Sequence, residues 1–235
     1  MPLEPLQAPQ SSKMRTRMRQ LEAPLPNTRV NSAHSFQYSG VDRCGPFLLC
    51  PTIPSDDPEN PKKSRRVIKF YILQFVCFYY RCLHLEVLIA PISAENVLQA
   101  IQRFVARRGK IDFLYSDNHQ SFLAARTQIS KLHEALQSRK VIDSTTSDPL
   151  NIKWVTSTPQ TPNTNAVNEA LVKISKTAFK KIFKNGTLTE QELRTIVASA
   201  EQFCNSRPLA VLPTDVGDCS AEVLTPSHFY GRNSI

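Results

Sequence analysis

The stretch Phe113-Leu114-Tyr115-Ser116-Asp117-Asn118 decides the fold, because a short apolar strand runs directly into a carboxylate. A second junction of this kind lies earlier in the chain, in Tyr38-Ser39-Gly40-Val41-Asp42. A carboxylate at the end of a buried strand is held rigidly and still reaches solvent, which suits a site for a divalent cation. Together with Glu169 on a later predicted helix, these junctions are compatible with a metal-dependent nuclease.

Hydrophobic periodicity predicts an α/β fold in which three strands precede an alternation of helices and strands. The aromatic and β-branched runs predict an antiparallel meander, and the short apolar run ending at Tyr115 predicts a central parallel strand. We therefore expect a five-stranded mixed sheet, three strands antiparallel and then two parallel, flanked by helices. The predicted strands cover residues 36–42, 67–78, 82–90, 111–115 and 152–155, and the predicted helices cover 93–109, 121–136, 165–184 and 189–208.

Length and composition predict a single sizeable folded unit, since 41% of the 235 residues are hydrophobic. Five prolines and scattered basic residues in 1–33 predict a flexible lead-in. The expected core then covers 34–210, and 211–235 form a C-terminal tail leading towards a further domain. Neither a membrane span nor a secretory signal is evident, so we expect an intracellular protein.

The net charge of +9 favours a polyanionic partner, with nucleic acid first and an anionic membrane surface second. The six cysteines include no C-x-x-C pair, and several lie inside apolar runs. This predicts buried free thiols in a reducing compartment. No histidine pairs with a cysteine at the spacing of zinc ligands, so a zinc site is not indicated.

Four segments, in order over residues 25–232, carry a more specific pattern. They are Leu25-Pro26 and Arg29-Val30 followed by Phe36 to Asp42 and Gly45-Pro46-Phe47; Arg81 to Glu86 with Arg103 to Lys110; Tyr115-Ser116-Asp117-Asn118 with Phe122; and Asn205-Ser206-Arg207-Pro208-Leu209 with Leu224 to Phe229. In order and spacing these segments resemble the integrase of BEL/Pao-type LTR retrotransposons. That family belongs with the retroviral integrases and cut-and-paste transposases, whose fold is ribonuclease H-like.

The resemblance implies DNA integration, meaning 3′-end processing of element DNA and its transfer into target DNA in the nucleus, by a homo-oligomer. It also implies that Asp42, Asp117 and Glu169 are the catalytic residues and the ligands of two Mg²⁺ or Mn²⁺ ions. Carboxylates suit these hard cations, and two ions about 4 Å apart serve in-line displacement at phosphorus. Glu169 follows Asp117 after 51 intervening residues, a spacing similar to that of the retrotransposon group.

Lys173, Lys176 and Lys180 follow Glu169 at offsets of 4, 7 and 11, on one face of the predicted helix. The resemblance implies that Lys173 and Lys176 contact DNA, and a basic row extending from the site to Lys180 suits DNA phosphates. A merely solvated basic face is the alternative. Asn118 and His119 are expected neighbours of the site. The predicted buried stripe, opposite the lysines, is Val167, Leu171, Ile174, Ala178 and Ile182.

The chain departs from the family at two places. His119 stands where the family has glycine, and Asn163-Thr164-Asn165-Ala166 stands where it has a glycine-containing loop. The family's zinc module and small C-terminal DNA-binding domain also lie outside these 235 residues. Two alternatives therefore accompany the integrase hypothesis. One is an inactive, decayed or domesticated descendant that binds DNA or protein, and the other is a hydrolase of RNA/DNA hybrids that shares the metal site.

Overall fold

The elements of the computed structural model follow the predicted order. The model describes residues 30–31, 34–49, 68–138, 151–156, 166–183, 188–212 and 222–230. The strands are β1 (Tyr38–Leu49), β2 (Ile68–Cys77), β3 (Leu83–Ile89), β4 (Phe113–Ser116), β5 (Lys153–Thr156), β6 (Ala210–Leu212) and β7 (Glu222–Leu224); the helices are α1 (Ala94–Arg108), α2 (Gln120–Ser138), α3 (Ala166–Ile182) and α4 (Glu190–Asn205), followed by a 3₁₀ turn (Pro226–Phe229).

The main sheet has five strands in the order β3-β2-β1-β4-β5. β1 pairs antiparallel with β2, and β2 pairs antiparallel with β3. β4 is parallel to both β1 and β5. The predicted ribonuclease H-like architecture, with three antiparallel strands and then two parallel ones, is confirmed.

β1 is longer than predicted. It continues from Asp42 to Leu49, with a register irregularity between Cys44 and Phe47. Gly45 lies at φ +132, where a Cβ would stand 3.0 Å from Cδ1 of Tyr71, so only glycine fits this position. The Gly45-Pro46 pair therefore forms a bulge inside the strand rather than its end. The expectation that Asp42 ends β1 was wrong, because this residue lies in the middle of the strand.

The sheet separates two apolar cores. The first core contains Phe75, Phe104 and Trp154 and packs under α1 and α2. The second contains Phe47 and Phe70 and packs under α3 and α4. Because side chains alternate across a strand, Asp42 and Gln74 project towards the second core, whereas their neighbours Val41 and Phe75 belong to the first.

The buried face of α3 differs from the predicted stripe. Val172 and Phe179 are buried in the second core, whereas Ile182 is 45% exposed. Phe179 and Phe183 stack at 5.8 Å, and Phe183 also meets the rings of Phe47 and Phe70. This aromatic contact rotates the helix by one residue, about 100°, relative to the prediction. The side chains of Val167, Leu171 and Ile174 lie outside the described part of the structure.

Side chains of α4 complete the hydrogen bonding of β3 at the edge of the sheet. The amide of Asn205 accepts from the backbone N–H of Leu83 at 2.8 Å and donates to its carbonyl at 2.7 Å. Glu201 accepts from the N–H of Leu85 at 2.8 Å. Edge strands otherwise present unpaired backbone groups, so this cover closes the sheet against further strand pairing.

The described C-terminal residues contact the core. Pro226 is buried, and its carbonyl accepts from the thiol of Cys82 at 3.2 Å. The ring of Phe229 stacks on Tyr80 at 4.6 Å, and the guanidinium of Arg108 lies 4.3 Å from the ring centroid of Tyr230. The predicted boundaries at residues 33 and 210 stay predictions, but Phe229 and Tyr230 pack against the first core.

The cysteines of the described segments are free thiols, and Cys44, Cys77 and Cys82 are buried. Burial raises the pKa of Cys82 to about 12, so this thiol stays protonated and unreactive. Cys50 and Cys219 lie outside the described residues. No helix among the segments described is long and apolar enough to cross a membrane.

His84 joins two glutamates inside the protein, on the sheet face opposite Asp42. Its side chain is 1% exposed, with Nε2 3.2 Å from Oε1 of Glu86 and Nδ1 3.1 Å from Oε2 of Glu201. Arg103 donates to Glu86 at 2.7 Å, and Arg108 pairs with Glu201. The cluster links β3 to α1 and α4. His84 is thus a packed, hydrogen-bonded histidine on the face of the sheet away from Asp42.

The charge of His84 predicts how stability depends on pH. Burial lowers the pKa of His84, but the hydrogen bonds to Glu201 and Glu86 outweigh it and raise that pKa above 6.5. A group whose pKa is raised by folding stabilises the protein fully below its unfolded pKa, and the contribution is lost as pH rises through the folded pKa. The free energy of unfolding should therefore fall from pH 6 to pH 8, with a slope of at most about 1.4 kcal/mol per pH unit.

Urea denaturation at both pH values measures this slope. His84→Gln should flatten it, whereas the exposed His34→Gln should leave it unchanged. Equal slopes in the parent protein and His84→Gln would contradict the assignment. The pH range of the measurement ends at pH 8 because cysteine thiols titrate above it. The pKa values of Glu86 and Glu201 are lowered, so both carboxylates stay ionised throughout this range.

Candidate metal and DNA site

The first two predicted acids follow one aligned residue pair at the end of the parallel ladder. Val41 and Ser116 form the last pair of the parallel β1–β4 ladder, so the next residues along the two strands are Asp42 and Asp117. Neighbouring strands lie about 4.8 Å apart, and laterally aligned residues project from the same face. Asp117 is exposed, and the side chain of Asp42 is 30% exposed. The two residues therefore follow neighbouring backbone positions, and both carboxylates are accessible to solvent.

A hydrogen-bonded chain fixes the end of β4 just before Asp117. The indole N–H of Trp154 donates to the hydroxyl of Ser116 at 2.8 Å. That hydroxyl lies 2.9 Å from the carbonyl of Asp117. Trp154 is 8% exposed, as expected of a core residue. Because β5 supplies this tryptophan, the outer parallel strand helps to place the second acid.

His119 directly precedes α2, and its backbone is not strained. Its carbonyl accepts from the N–H groups of Phe122 and Leu123, and its backbone N–H donates to Oδ1 of Asp117 at 3.2 Å. Within the described segments, the non-glycine residues with positive φ are Phe36 and Arg81, so position 119 does not need glycine. The histidine in the family's glycine position is thus compatible with the local backbone. Asn118, the residue after Asp117, is exposed.

Asp42 already has a cationic partner. Its Oδ2 accepts from Nζ of Lys176 at 2.8 Å, and its Oδ1 accepts from the backbone N–H of Arg43 at 2.7 Å. The lysine side chain is 36% exposed, so solvent reaches the ion pair. Lys176 borders the buried face of α3 and reaches inwards to the first acid, rather than projecting directly away from the core as the predicted stripe required.

The remaining predicted residues of α3 are placed only in part. Glu169 lies within the helix, seven residues before Lys176 and hence on the same helical face. Lys173 is exposed. The side chains of Glu169 and Lys180 lie outside the described part of the structure, so their roles stay predictions.

Gln74 and Ser175 were missed by the sequence analysis. Gln74 pairs with Asp42 across the β1–β2 ladder and is 0% exposed. Its Oε1 lies 3.0 Å from the hydroxyl of Ser175, which is 1% exposed on α3. The available signal was a lone amide in the apolar run from Ile72 to Cys77. A polar residue at such a position requires a hydrogen-bonding partner.

A cleft of about 340 Å³ adjoins the ion pair. Lys176 and Arg43 supply positive charge at this cleft, and the guanidinium of Arg43 lies 4.8 Å from the ring centroid of Tyr71. Two cationic side chains beside the carboxylates suit an anionic backbone such as that of DNA. The remaining lining residues are Cys44, Gly45, Pro46, Phe47 and Phe183.

The donor set at this position fits a hard divalent cation. Asp42 and Asp117 offer carboxylate oxygens at one level of the sheet, and Mg²⁺ and Mn²⁺ prefer such ligands. The ammonium of Lys176 shows that Asp42 accepts a positive charge there. No group of three histidine, cysteine, aspartate or glutamate side chains that could hold a metal occurs among the described side chains, which do not include Glu169.

The fold is similar to that of a chain in a viral intasome. One chain of the simian T-cell lymphotropic virus intasome, solved in complex with the PP2A regulatory subunit B56 gamma, matches at a TM-score of 0.50 and 14% identity. The match covers 84% of the present chain but 55% of the intasome chain, so the protein spans about half of that chain's length.

The HTLV-2 integrase catalytic core domain, solved with magnesium in a dimeric form, matches at a TM-score of 0.43 and 12% identity, over 77% of the present chain and 93% of the core domain. No protein-family model matches the sequence. No curated protein matches it either.

Proposed function

We propose that this chain is the catalytic core of an integrase of the BEL/Pao type, with residues 34–210 as the core. The observation that carries the proposal is the meeting of Asp42, Asp117 and the Lys176 face of α3 at one place on the sheet. Glu169 shares that helical face and would complete the set of three carboxylates. The intasome fold and the four resembling segments support the same assignment.

The proposed reaction is phosphodiester cleavage at element ends, followed by strand transfer. In the first step a water oxygen attacks the phosphorus that joins the element end to the nucleotides to be removed. The 3′-oxygen of the last retained nucleotide leaves as the new 3′-hydroxyl, and the removed nucleotides keep the 5′-phosphate. In the second step the new 3′-hydroxyl attacks a target phosphodiester and displaces its 3′-oxygen. Asp42, Asp117 and Glu169 would hold Mg²⁺ or Mn²⁺, which would supply charge neutralisation at the reacting oxygens when bound.

The basic side chains have a separate role in this proposal. Lys173 is exposed on the face that carries Glu169, and Lys176 and Arg43 line the adjoining cleft. They would hold DNA phosphates near the carboxylates without reading the base sequence. Lys180 would extend the row, and Asn118 and His119 would border it. Integration in the nucleus by a homo-oligomer, as the resemblance implies, is part of the same proposal.

A catalytic test uses a branched DNA that mimics the strand-transfer product, because its resolution reverses the second step and needs no known element end. With Mn²⁺ or Mg²⁺, the parent protein should resolve this DNA, and Asp42→Asn or Asp117→Asn should reduce the rate by at least ~100-fold, since such cations contribute several kcal/mol.

Asp112→Asn is the matched control for the catalytic test. Asp112 precedes β4 at the opposite end of that strand and bonds to Gln37, so this variant should retain activity. Failure of the parent protein to resolve the DNA, or equal rates in the parent and Asp42→Asn, would contradict the proposal. Cleavage of an RNA/DNA hybrid without resolution of the branched DNA would indicate a hydrolase instead.

The lysine row predicts a loss of DNA affinity that does not depend on sequence. Lys173→Gln should weaken binding to any duplex and reduce the slope of log affinity against log salt by about 1, the value for one lost phosphate contact. Fluorescence anisotropy over a range of salt concentrations measures both quantities. Lys131→Gln, an exposed site on α2 beneath the other face of the sheet, should change neither. Equal effects of the two variants would contradict a DNA path along α3.

A further inference from the structure

Gln74 occupies a buried position directly opposite the first acid. It is the cross-strand partner of Asp42 in the β1–β2 register, and it is 0% exposed. Directly opposed residues have Cβ atoms about 4.5–5.5 Å apart and project from the same face. The longer side chain of glutamine can therefore reach the carboxylate of Asp42.

The amide of Gln74 is only half satisfied. Its Oε1 has the hydroxyl of Ser175 at 3.0 Å, but its Nε2 is buried without a hydrogen-bond partner. Among the described parts of the chain, it is the only buried side-chain nitrogen or oxygen atom without a hydrogen-bond partner. An unmet buried donor is unfavourable for folding and calls for an explanation, and a partner in another state of the protein would supply one.

The other state would be one in which Asp42 is no longer paired with Lys176. In the present structure both carboxylate oxygens are occupied, one by the ammonium of Lys176 and one by the N–H of Arg43. A divalent cation would compete with the ammonium, because both neutralise the same oxygens. Once Lys176 is released, the carboxylate can turn towards the buried amide beside it.

We propose that Gln74 is a positioning residue for Asp42, whose Nε2–H donates to that carboxylate when a divalent cation replaces the ammonium of Lys176. The inference rests on the proposed function, since it requires the cation site. Ser175 contributes by holding Oε1, which fixes the other end of the amide. Ser175 and Lys176 are consecutive on α3. The same turn of the helix therefore carries the hydroxyl that holds the Gln74 amide and the ammonium that occupies Asp42.

This arrangement has a functional consequence. Residues that hydrogen-bond to metal ligands orient them, and removing such a residue typically weakens metal affinity 10–100-fold. The same amide has no donor contact without the cation. Gln74 should therefore favour the cation-bound state at the cost of the cation-free state, which a residue with a purely structural role would not do.

Gln74→Met tests the inference, because methionine has a similar length and no polar atoms. In the cation-free protein this variant should unfold at an equal temperature or a few degrees higher, since the unmet donor is gone. Its affinity for Mn²⁺ alone, measured from free Mn²⁺ by electron paramagnetic resonance, should fall at least about tenfold. Ser175→Ala, a smaller change, should lower the affinity in the same direction and serves as the second variant.

The effect of Gln74→Met on the unfolding temperature should change sign when Lys176→Met is also present. This change of sign distinguishes a positioning role of Gln74 from a role in packing alone. Without the ammonium, the amide of Gln74 should already bond to Asp42 in the cation-free protein. Adding Gln74→Met in that background should then lower the unfolding temperature, whereas in the parent it does not. The same sign in both backgrounds would overturn the inference.

The controls distinguish this inference from the function on which it rests. If the parent protein binds Mn²⁺ no better than Asp42→Asn, both fail. If the parent binds Mn²⁺ and Asp42→Asn does not, but Gln74→Met and Ser175→Ala bind it as the parent does, the positioning role alone is refuted and the cation site stands.

Discussion

The position of β1 between an antiparallel and a parallel neighbour is the constraint on which the rest of the structure depends. Its register with β2 places Gln74 opposite Asp42, and its register with β4 places Asp117 beside Asp42. A slip of one residue would turn Asp42 to the other face of the sheet. There it would meet the apolar core under α1 and α2, where an unpaired carboxylate is strongly unfavourable. The hydrophobic pattern of β1 thus determines to which face of the sheet Asp42 projects.

Packing of α3 sets the other half of the site. The rings of Phe47, Phe70, Phe179 and Phe183 fix the rotation of this helix against the sheet. That rotation places Lys176 within 2.8 Å of Asp42 and Ser175 within 3.0 Å of Gln74. Lys176 and Ser175 are therefore positioned by apolar contacts of Phe179 and Phe183, one and two turns further along the helix. The helix is also the element that carries Glu169, so the same aromatic contacts support the third proposed ligand.

The sequence predicted the order of the elements because the apolar runs change period clearly from strand to helix. It also predicted β4, the parallel strand that leads into Asp117. It did not predict that β1 continues to Leu49, since Gly45-Pro46 has the composition of a turn and forms a bulge only because β2 lies alongside.

The rotation of α3 was missed for a related reason. Residues 174, 178 and 182 form an apolar stripe as regular as the real one, and only the aromatic partners on the sheet decide between the two. Gln74 and Ser175 became visible only through their burial. Glu169 and Lys180 stay predictions from the resemblance and from helical spacing.

The most direct measurement of the central claim is an anomalous difference map from crystals of the protein grown with Mn²⁺. The account predicts Mn²⁺ bound by oxygens of Asp42, Asp117 and Glu169, at distances of about 2.0–2.3 Å, with the ammonium of Lys176 withdrawn from Asp42. Mn²⁺ bound elsewhere, or an ion pair between Lys176 and Asp42 that persists at saturating Mn²⁺, would contradict it.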